Sequence, residues 1–200
     1  MVLGFQTPHT VARLVLDTSD VIEWGNTPLE YQGLETLYKQ FRVFLAKTDV
    51  VDTELDPEKN EMVGGRFLAS IKFLELHGPV VLDNSRLNHT VLASDEDVRR
   101  LDQVKEIVGI STVSERKAKH DLRDAMHIAT SIRYGYDGFI TRDKRLEKRN
   151  DQFLHEFGFR IMNVDEAVTH VKNLIEHVAH RDELNRKLSI QGATREGPDS

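Results

Sequence analysis

Five short apolar runs, each followed by a segment with helical periodicity, most constrain what this 200-residue chain can fold into. Each run is nearly continuous in apolar residues rather than alternating, which is typical of strands buried on both faces of a parallel sheet. The runs cover residues 14–16, 41–46, 79–82, 138–141 and 159–163. Because strands that alternate with helices form βαβ units, the sequence predicts an α/β fold with a parallel sheet between helix layers.

Helix start signals follow these runs. Thr27-Pro28-Leu29-Glu30 combines a capping box with proline at the first helical position, which predicts a helix from there to about Lys39. Further start signals precede four apolar stripes with helical spacing. The corresponding helices are predicted to begin at Asp56 (ending at Gly78), at Ser94, at about Ser114 (ending at Tyr134, before Gly135) and at Asn163.

Composition narrows the chemistry further. A chain without cysteine excludes a disulfide framework, a thiolate zinc site, a cysteine nucleophile and an iron–sulfur cluster. The net charge of −6 argues against a protein that coats nucleic acid through bulk charge, although an enzyme with a local basic rim remains compatible with it. The apolar stretches fall far short of the ~20 residues that a membrane helix needs, and the N-terminus lacks a basic signal region. We therefore expect a soluble, cytoplasmic protein without membrane contact.

Acidic residues lie where the predicted strands end. Asp17 follows the first strand, Glu54 lies after the second and Asp143 follows the fourth, while Asp124 lies in the helix that leads to the fourth. Because ligands of parallel sheets bind beyond the carboxyl ends of the strands, we expect these acids at one edge. Carboxylates gathered there repel unless a cation neutralises them. Mg²⁺ or Mn²⁺ prefers such oxygen ligands, activates water and stabilises charge on phosphoryl groups, so the pattern predicts metal-dependent phosphoryl chemistry.

The segments that carry these acids resemble the PIN-domain family from about residue 12 to residue 165, and the last two segments are the most specific part. The segments are residues 14–19, 50–55, 124–130 and 139–143. The resemblance implies a Rossmann-like three-layer sandwich with a five-stranded parallel sheet of order 3-2-1-4-5. It also implies a metal-dependent nuclease, most often an endoribonuclease that hydrolyses RNA phosphodiester bonds.

The resemblance gives each acid a role. Asp17 and Asp124 are expected to be the most direct ligands of Mg²⁺ or Mn²⁺. Asp143 is expected to hold a second ion or to orient the attacking water, and Glu54 to complete the site. All four are thus expected to be both catalytic and metal-binding.

Supporting residues are predicted around these acids. Thr18 and Thr141 match small hydroxyl positions of the family that shape the pocket. Asp121 lies one helical turn before Asp124, so it is a further candidate for the metal shell. Basic side chains near the acids are candidates for contacts with RNA phosphates, or else form a solvated, locally balanced face. The candidates are Arg123, Arg142, Lys144 and Arg145.

Simpler interpretations of the same residues stay open. Asp17 is placed to cap the helix that follows the first strand, and Glu54 is compatible with an ordinary exposed helix acid. His127, within an apolar helical stripe, is typical of a packed and hydrogen-bonded core residue. A phosphatase with Asp-x-Asp after the first strand is disfavoured, because the second acid there is Asp20.

The expected organisation is a PIN-like nuclease domain at residues 12–165, a C-terminal helical extension at 166–188 and a disordered tail at 189–200. VapC-type toxins belong to the resembled family, so an antitoxin protein is a candidate partner beside the RNA substrate, as is a second copy of the chain. The alternative function is a non-catalytic PIN-like module that binds RNA or protein. Metal chemistry of this kind needs no 2′-hydroxyl, so it does not by itself separate RNA from DNA.

Overall fold

Five parallel strands form a single sheet in the computed structural model, which describes residues 10–54, 73–79, 81 and 91–193. The strands are β1 (Ala12–Leu16), β2 (Val43–Thr48), β3 (Leu74–Leu76), β4 (Gly138–Ile140) and β5 (Arg160–Met162). Their order in the sheet is β3-β2-β1-β4-β5, and every pairing is parallel. The predicted α/β class and the strand order 3-2-1-4-5 are both confirmed.

Helices cover both faces of the sheet. They are α1 (Thr18–Asn26), α2 (Gln32–Lys39), α3 (Asp49–Glu54), α4 (Asp95–Val108), α5 (Glu115–Arg133), α6 (Lys144–Glu147), α7 (Asn150–Phe157) and α8 (Val164–Ala193). The central strand β1 explains the three layers. Leu14 and Leu16 pack into a core with α1, α2 and α8, whereas Val15 packs into a second core with α4, α5 and α7. A strand buried on both faces is therefore apolar where it is buried, as residues 14–16 are, while Arg13 near its start is only partly buried.

Three predicted helix starts agree with the structure. Ser94 and Asp97 form a reciprocal capping box at the start of α4, and the Ser114 hydroxyl caps α5. Asn163 and Glu166 exchange side chain–backbone hydrogen bonds of 3.0 Å at the start of α8. That last helix continues to Ala193, beyond residue 188 where its end was predicted.

The predicted helix that begins at Thr27 is wrong in its first turn. The preceding residues form α1 instead, and the Thr27 hydroxyl donates to the Glu23 carbonyl oxygen at 3.1 Å. Thr27 therefore ends one helix rather than starting the next, and α2 begins only at Gln32. The short helices α6 and α7 were not predicted, and α1 was expected only as a helix after the first strand, without bounds.

The predicted position of the third strand is also wrong. The strand that pairs with β2 is Leu74–Leu76 rather than residues 79–82. Pro79 forms only an isolated bridge to Val91, since proline lacks the N–H that a ladder requires. Residues 80 and 82 lie outside the described residues, as do residues 56–72 of the helix predicted to end at Gly78. Because Leu74 and Leu76 are in a strand, that helix cannot extend to Gly78.

Phe41 lies at the C-terminus of α2 in a left-handed conformation, with φ of 57°. Its N–H donates to the Tyr38 carbonyl oxygen and the N–H of Arg42 donates to that of Leu37, both at 2.9 Å. This is the Schellman pattern, in which the position of Phe41 normally holds glycine. The side chain is 62% exposed, so burial offsets little of the backbone cost.

We expect Phe41→Gly to be more stable than Phe41→Ala by about 1 kcal/mol, because only glycine adopts the left-handed region without steric cost. Both variants remove the same exposed ring, so their difference isolates the backbone term. Urea unfolding monitored by circular dichroism measures it. An alanine variant as stable as the glycine variant would contradict the strained conformation.

Candidate metal centre

Asp17 lies at the carboxyl end of β1, at the N-cap position of α1, and is 8% exposed. Its side chain makes no capping hydrogen bond, so the interpretation of Asp17 as a simple helix cap is wrong. The carboxylate instead accepts hydrogen bonds from the hydroxyls of Thr141, at 2.7 Å, and Ser19, at 3.0 Å. Because Thr141 follows β4, this contact links the ends of two neighbouring strands and fixes the direction in which Asp17 points.

Glu54 ends α3, the helix that continues directly from β2. Its carboxylate accepts a short hydrogen bond from Thr18, lies 3.5 Å from His127 Nε2 and 3.7 Å from Arg123 Nη1. Burial raises the pKa of Glu54, but the bonds and positive charges of these three neighbours outweigh burial and lower the pKa to about 2. Glu54 is therefore a carboxylate held in place by neighbours, not a free surface acid.

His127 is fully buried on α5. The Thr48 hydroxyl at the end of β2 contacts its Nδ1, while Nε2 points to Glu54. Burial by itself lowers the pKa of this imidazole, but the hydrogen bond and charge of Glu54 raise it overall. His127 is packed and hydrogen-bonded, as predicted. Its Nε2 nitrogen, however, faces the Glu54 carboxylate of the site.

Asp124 lies in the middle of α5 and is 3% exposed. His120 Nδ1 lies 3.8 Å from one carboxylate oxygen and Arg145 Nη2 lies 3.4 Å from the other. Burial, together with the negative charges of Asp17 and Asp143, raises the pKa of Asp124 to about 7. His120 and His127 lower this pKa, but too little to compensate.

Asp143 follows β4 and caps α6, where its carboxylate accepts the backbone N–H of Arg145 at 2.7 Å. The Arg145 guanidinium adds bonds to Asp143 from Nε and Nη2. Burial opposes ionisation, but the bonds from Arg145 lower the pKa of Asp143 overall. Asp121 is fully buried and accepts both Arg145 Nη1, at 2.6 Å, and the Ser111 N–H, at 2.9 Å.

The acids thus form two adjoining groups. The Asp17 group comprises Asp17, Glu54 and His127, and the Asp124 group comprises His120, Asp124 and Asp143. Within each group, one ligand atom of each residue lies within 4.8 Å of the others. The negative charge of Asp17 raises the pKa of Asp124, so the two groups interact electrostatically. Carboxylate oxygens and imidazole nitrogens are both metal-binding groups, so the donor set fits a metal ion.

The other predicted residues surround these groups. Thr18 and Thr141 donate hydroxyl hydrogen bonds to Glu54 and Asp17. The basic side chains predicted to contact RNA are all ion-paired, two of them to acids of the site. Arg123 pairs with Glu54, Arg142 with Glu23 and Glu30, Lys144 with Glu147, and Arg145 with Asp121, Asp124 and Asp143.

Sequence reasoning missed the two histidines as metal-site neighbours. His120 lies four residues before Asp124 and His127 three residues after it, which places all three on one helix face. That spacing was visible in the sequence. The contact between His127 and Glu54 was not, because it depends on how α3 meets α5.

Comparisons with known proteins give no family: no protein-family model matches the chain, and no curated protein matches it either. Within the described part of the chain, every helix is too short or too polar to cross a lipid bilayer.

The raised pKa of Asp124 gives a pH-dependent stability. Between the ordinary pKa of 3.8 and the value of about 7, the folded state retains a proton that the unfolded chain releases. The free energy of unfolding therefore falls as pH rises through this window. In metal-free protein we expect Asp124→Asn to be more stable than wild type above pH 7, and this advantage to shrink towards pH 4.

Thermal unfolding in EDTA across this pH range measures the effect. Asp151→Asn is the matched control, because it neutralises an exposed acid of α7. An Asp124→Asn protein less stable than wild type above pH 7 would contradict the raised pKa of Asp124.

Proposed function

We propose that this protein is a PIN-like, Mg²⁺- or Mn²⁺-dependent endoribonuclease. The observation that carries the proposal is the convergence of Asp17, Glu54, Asp124 and Asp143 at the carboxyl edge of the sheet. Burial there, together with the negative charges of Asp17 and Asp143, raises the pKa of Asp124 to about 7. A cation that relieves the repulsion among these charges supplies the chemistry that phosphodiester hydrolysis needs.

The residues that would hold metal are Asp17 and Glu54 with the imidazole of His127 in one group, and Asp124 and Asp143 with His120 in the adjoining group. A bound divalent cation would activate water and stabilise negative charge on the phosphoryl group. Proteins bind Mg²⁺ through few carboxylates and leave the other positions to water and substrate oxygens. Oxygen donors from separate helices and loops at the carboxyl edge of the sheet are therefore suitable ligands for such an ion.

The surrounding side chains hold these ligands in position. Thr141 orients Asp17, and Thr18 with His127 orients Glu54. Such supporting contacts are worth about 10–100-fold in metal affinity or activity in metal sites generally. Arg142 and Lys144 follow β4 beside the acids and are exposed, so they are the best placed to meet the phosphates of a nucleic acid.

The choice of RNA as substrate rests on the resemblance to PIN domains, because the proposed chemistry acts on DNA as well. The same resemblance underlies a toxin role with an antitoxin partner. A non-catalytic module that binds RNA or protein is the second candidate. One observation favours it: the Arg145 guanidinium pairs with three of these carboxylates, those of Asp121, Asp124 and Asp143.

Cleavage of a random-sequence RNA pool, with sequencing of the new ends, tests the proposal without requiring a known target. We expect Mn²⁺-dependent cleavage that EDTA abolishes. Asp17→Asn and Asp124→Asn should each lower the rate by roughly 100-fold or more, since they remove ligands rather than supporting contacts.

Asp151→Asn is the control and should cleave like wild type, and a DNA pool of the same sequences decides between the two nucleic acids. Equal cleavage by wild type and Asp124→Asn would contradict the proposal. Metal-independent RNA binding without cleavage would favour the binding module.

A further inference from the structure

The Arg145 guanidinium contacts the acids of the site as a bound metal cation would. Its Nη1 donates to Asp121 at 2.6 Å. Its Nη2 donates to Asp143 at 2.8 Å and lies 3.4 Å from Asp124, while Nε donates to Asp143 at 3.2 Å. One guanidinium thus contacts three carboxylates from two elements, α5 and the loop after β4. Arginine keeps its charge at all relevant pH values, so this neutralisation is permanent.

The Asp17 group is arranged differently. The Asp17 carboxylate accepts only hydroxyl groups, from Ser19 and Thr141, and among the described residues no cationic side chain pairs with it. Glu54 is approached by Arg123 only at 3.7 Å, outside hydrogen-bond distance. Arg145 therefore holds the Asp143 side of the site through direct hydrogen bonds. On the Asp17 side, Arg123 and His127 approach only Glu54, and the Asp17 carboxylate has no cationic partner among the described residues.

We propose that Arg145 takes the place of a second metal ion, so that the site binds one divalent cation, on the Asp17 side and adjoining Asp124. The inference rests on the proposed metal-dependent function. A second divalent ion between Asp124 and Asp143 would have to displace the guanidinium from both carboxylates or lie against its positive charge. Arg145 is thus a positioning residue that holds the carboxylate of Asp143 and contacts one carboxylate oxygen of Asp124.

Asp121 acquires a specific role in this arrangement. It is fully buried, and its oxygens are taken by Arg145 and by the Ser111 N–H. Asp121 therefore anchors the guanidinium instead of ligating the metal. The backbone N–H of Arg145 also donates to Asp143, which keeps the arginine beside the site even though its side chain is 44% exposed.

Counting bound Mn²⁺ by electron paramagnetic resonance tests the inference on the full-length chain. We expect one Mn²⁺ in wild type. Arg145→Gln should bind two, the second at least about tenfold more tightly than any second ion in wild type, because a neighbouring positive charge is gone. The two ions should show spin–spin coupling, which demonstrates that they are adjacent. Arg145→Lys keeps the charge and should bind one.

Arg149→Gln is the matched control, since it removes an exposed positive charge from the same segment away from the acids, and it should bind one ion. Two coupled Mn²⁺ ions in wild type would overturn the inference while leaving a metal-dependent function intact. No bound Mn²⁺ in wild type would overturn both. Folded Arg145→Gln with a single ion would overturn the role of Arg145, and the wild-type count decides even if this variant does not fold.

Discussion

Repulsion among carboxylates at the carboxyl edge of the sheet is the constraint on which the rest of the site depends. The parallel arrangement of β1, β2 and β4 brings Asp17, Glu54 and Asp143 together, and α5 adds the buried Asp124. Each neighbouring contact offsets part of this repulsion: hydroxyls orient Asp17, His127 stabilises ionised Glu54, and Arg145 neutralises Asp143. Burial and the remaining repulsion from Asp17 and Asp143 raise the pKa of Asp124 to about 7.

The fold was predictable where a local sequence signal was enough to specify a strand or a helix start. The continuous apolar runs of β1 and β4 indicated buried parallel strands, and the serine caps of α4 and α5 marked true helix starts. Prediction was wrong where local signals compete. Thr27 and Pro28 form a good start signal, but the same hydroxyl closes α1. The three-residue strand β3 is specified by its pairing with β2 rather than by its own short sequence.

The candidate site divides in the same way. The four acids were picked out from their places in the sequence, because residues that follow parallel strands lie at one edge. Thr18 and Thr141 were picked out from the resemblance to PIN domains. The partners of Arg145 were not, since its sequence neighbours suggested a basic rim facing solvent. Its contact with Asp121 joins residues far apart in the sequence, and only the packing of α5 against the loop after β4 reveals it. Long-range charge pairing of this kind has no local pattern.

Thermal unfolding with and without millimolar Mn²⁺ is the most direct test of the central claim, that these carboxylates form a binding site for a divalent cation. An ion bound only by the folded state must raise the melting temperature. The account predicts a clear increase for wild type and the loss of that increase in Asp17→Asn and in Asp124→Asn. A wild-type melting temperature unaffected by Mn²⁺, or an equal increase in all three proteins, would contradict it.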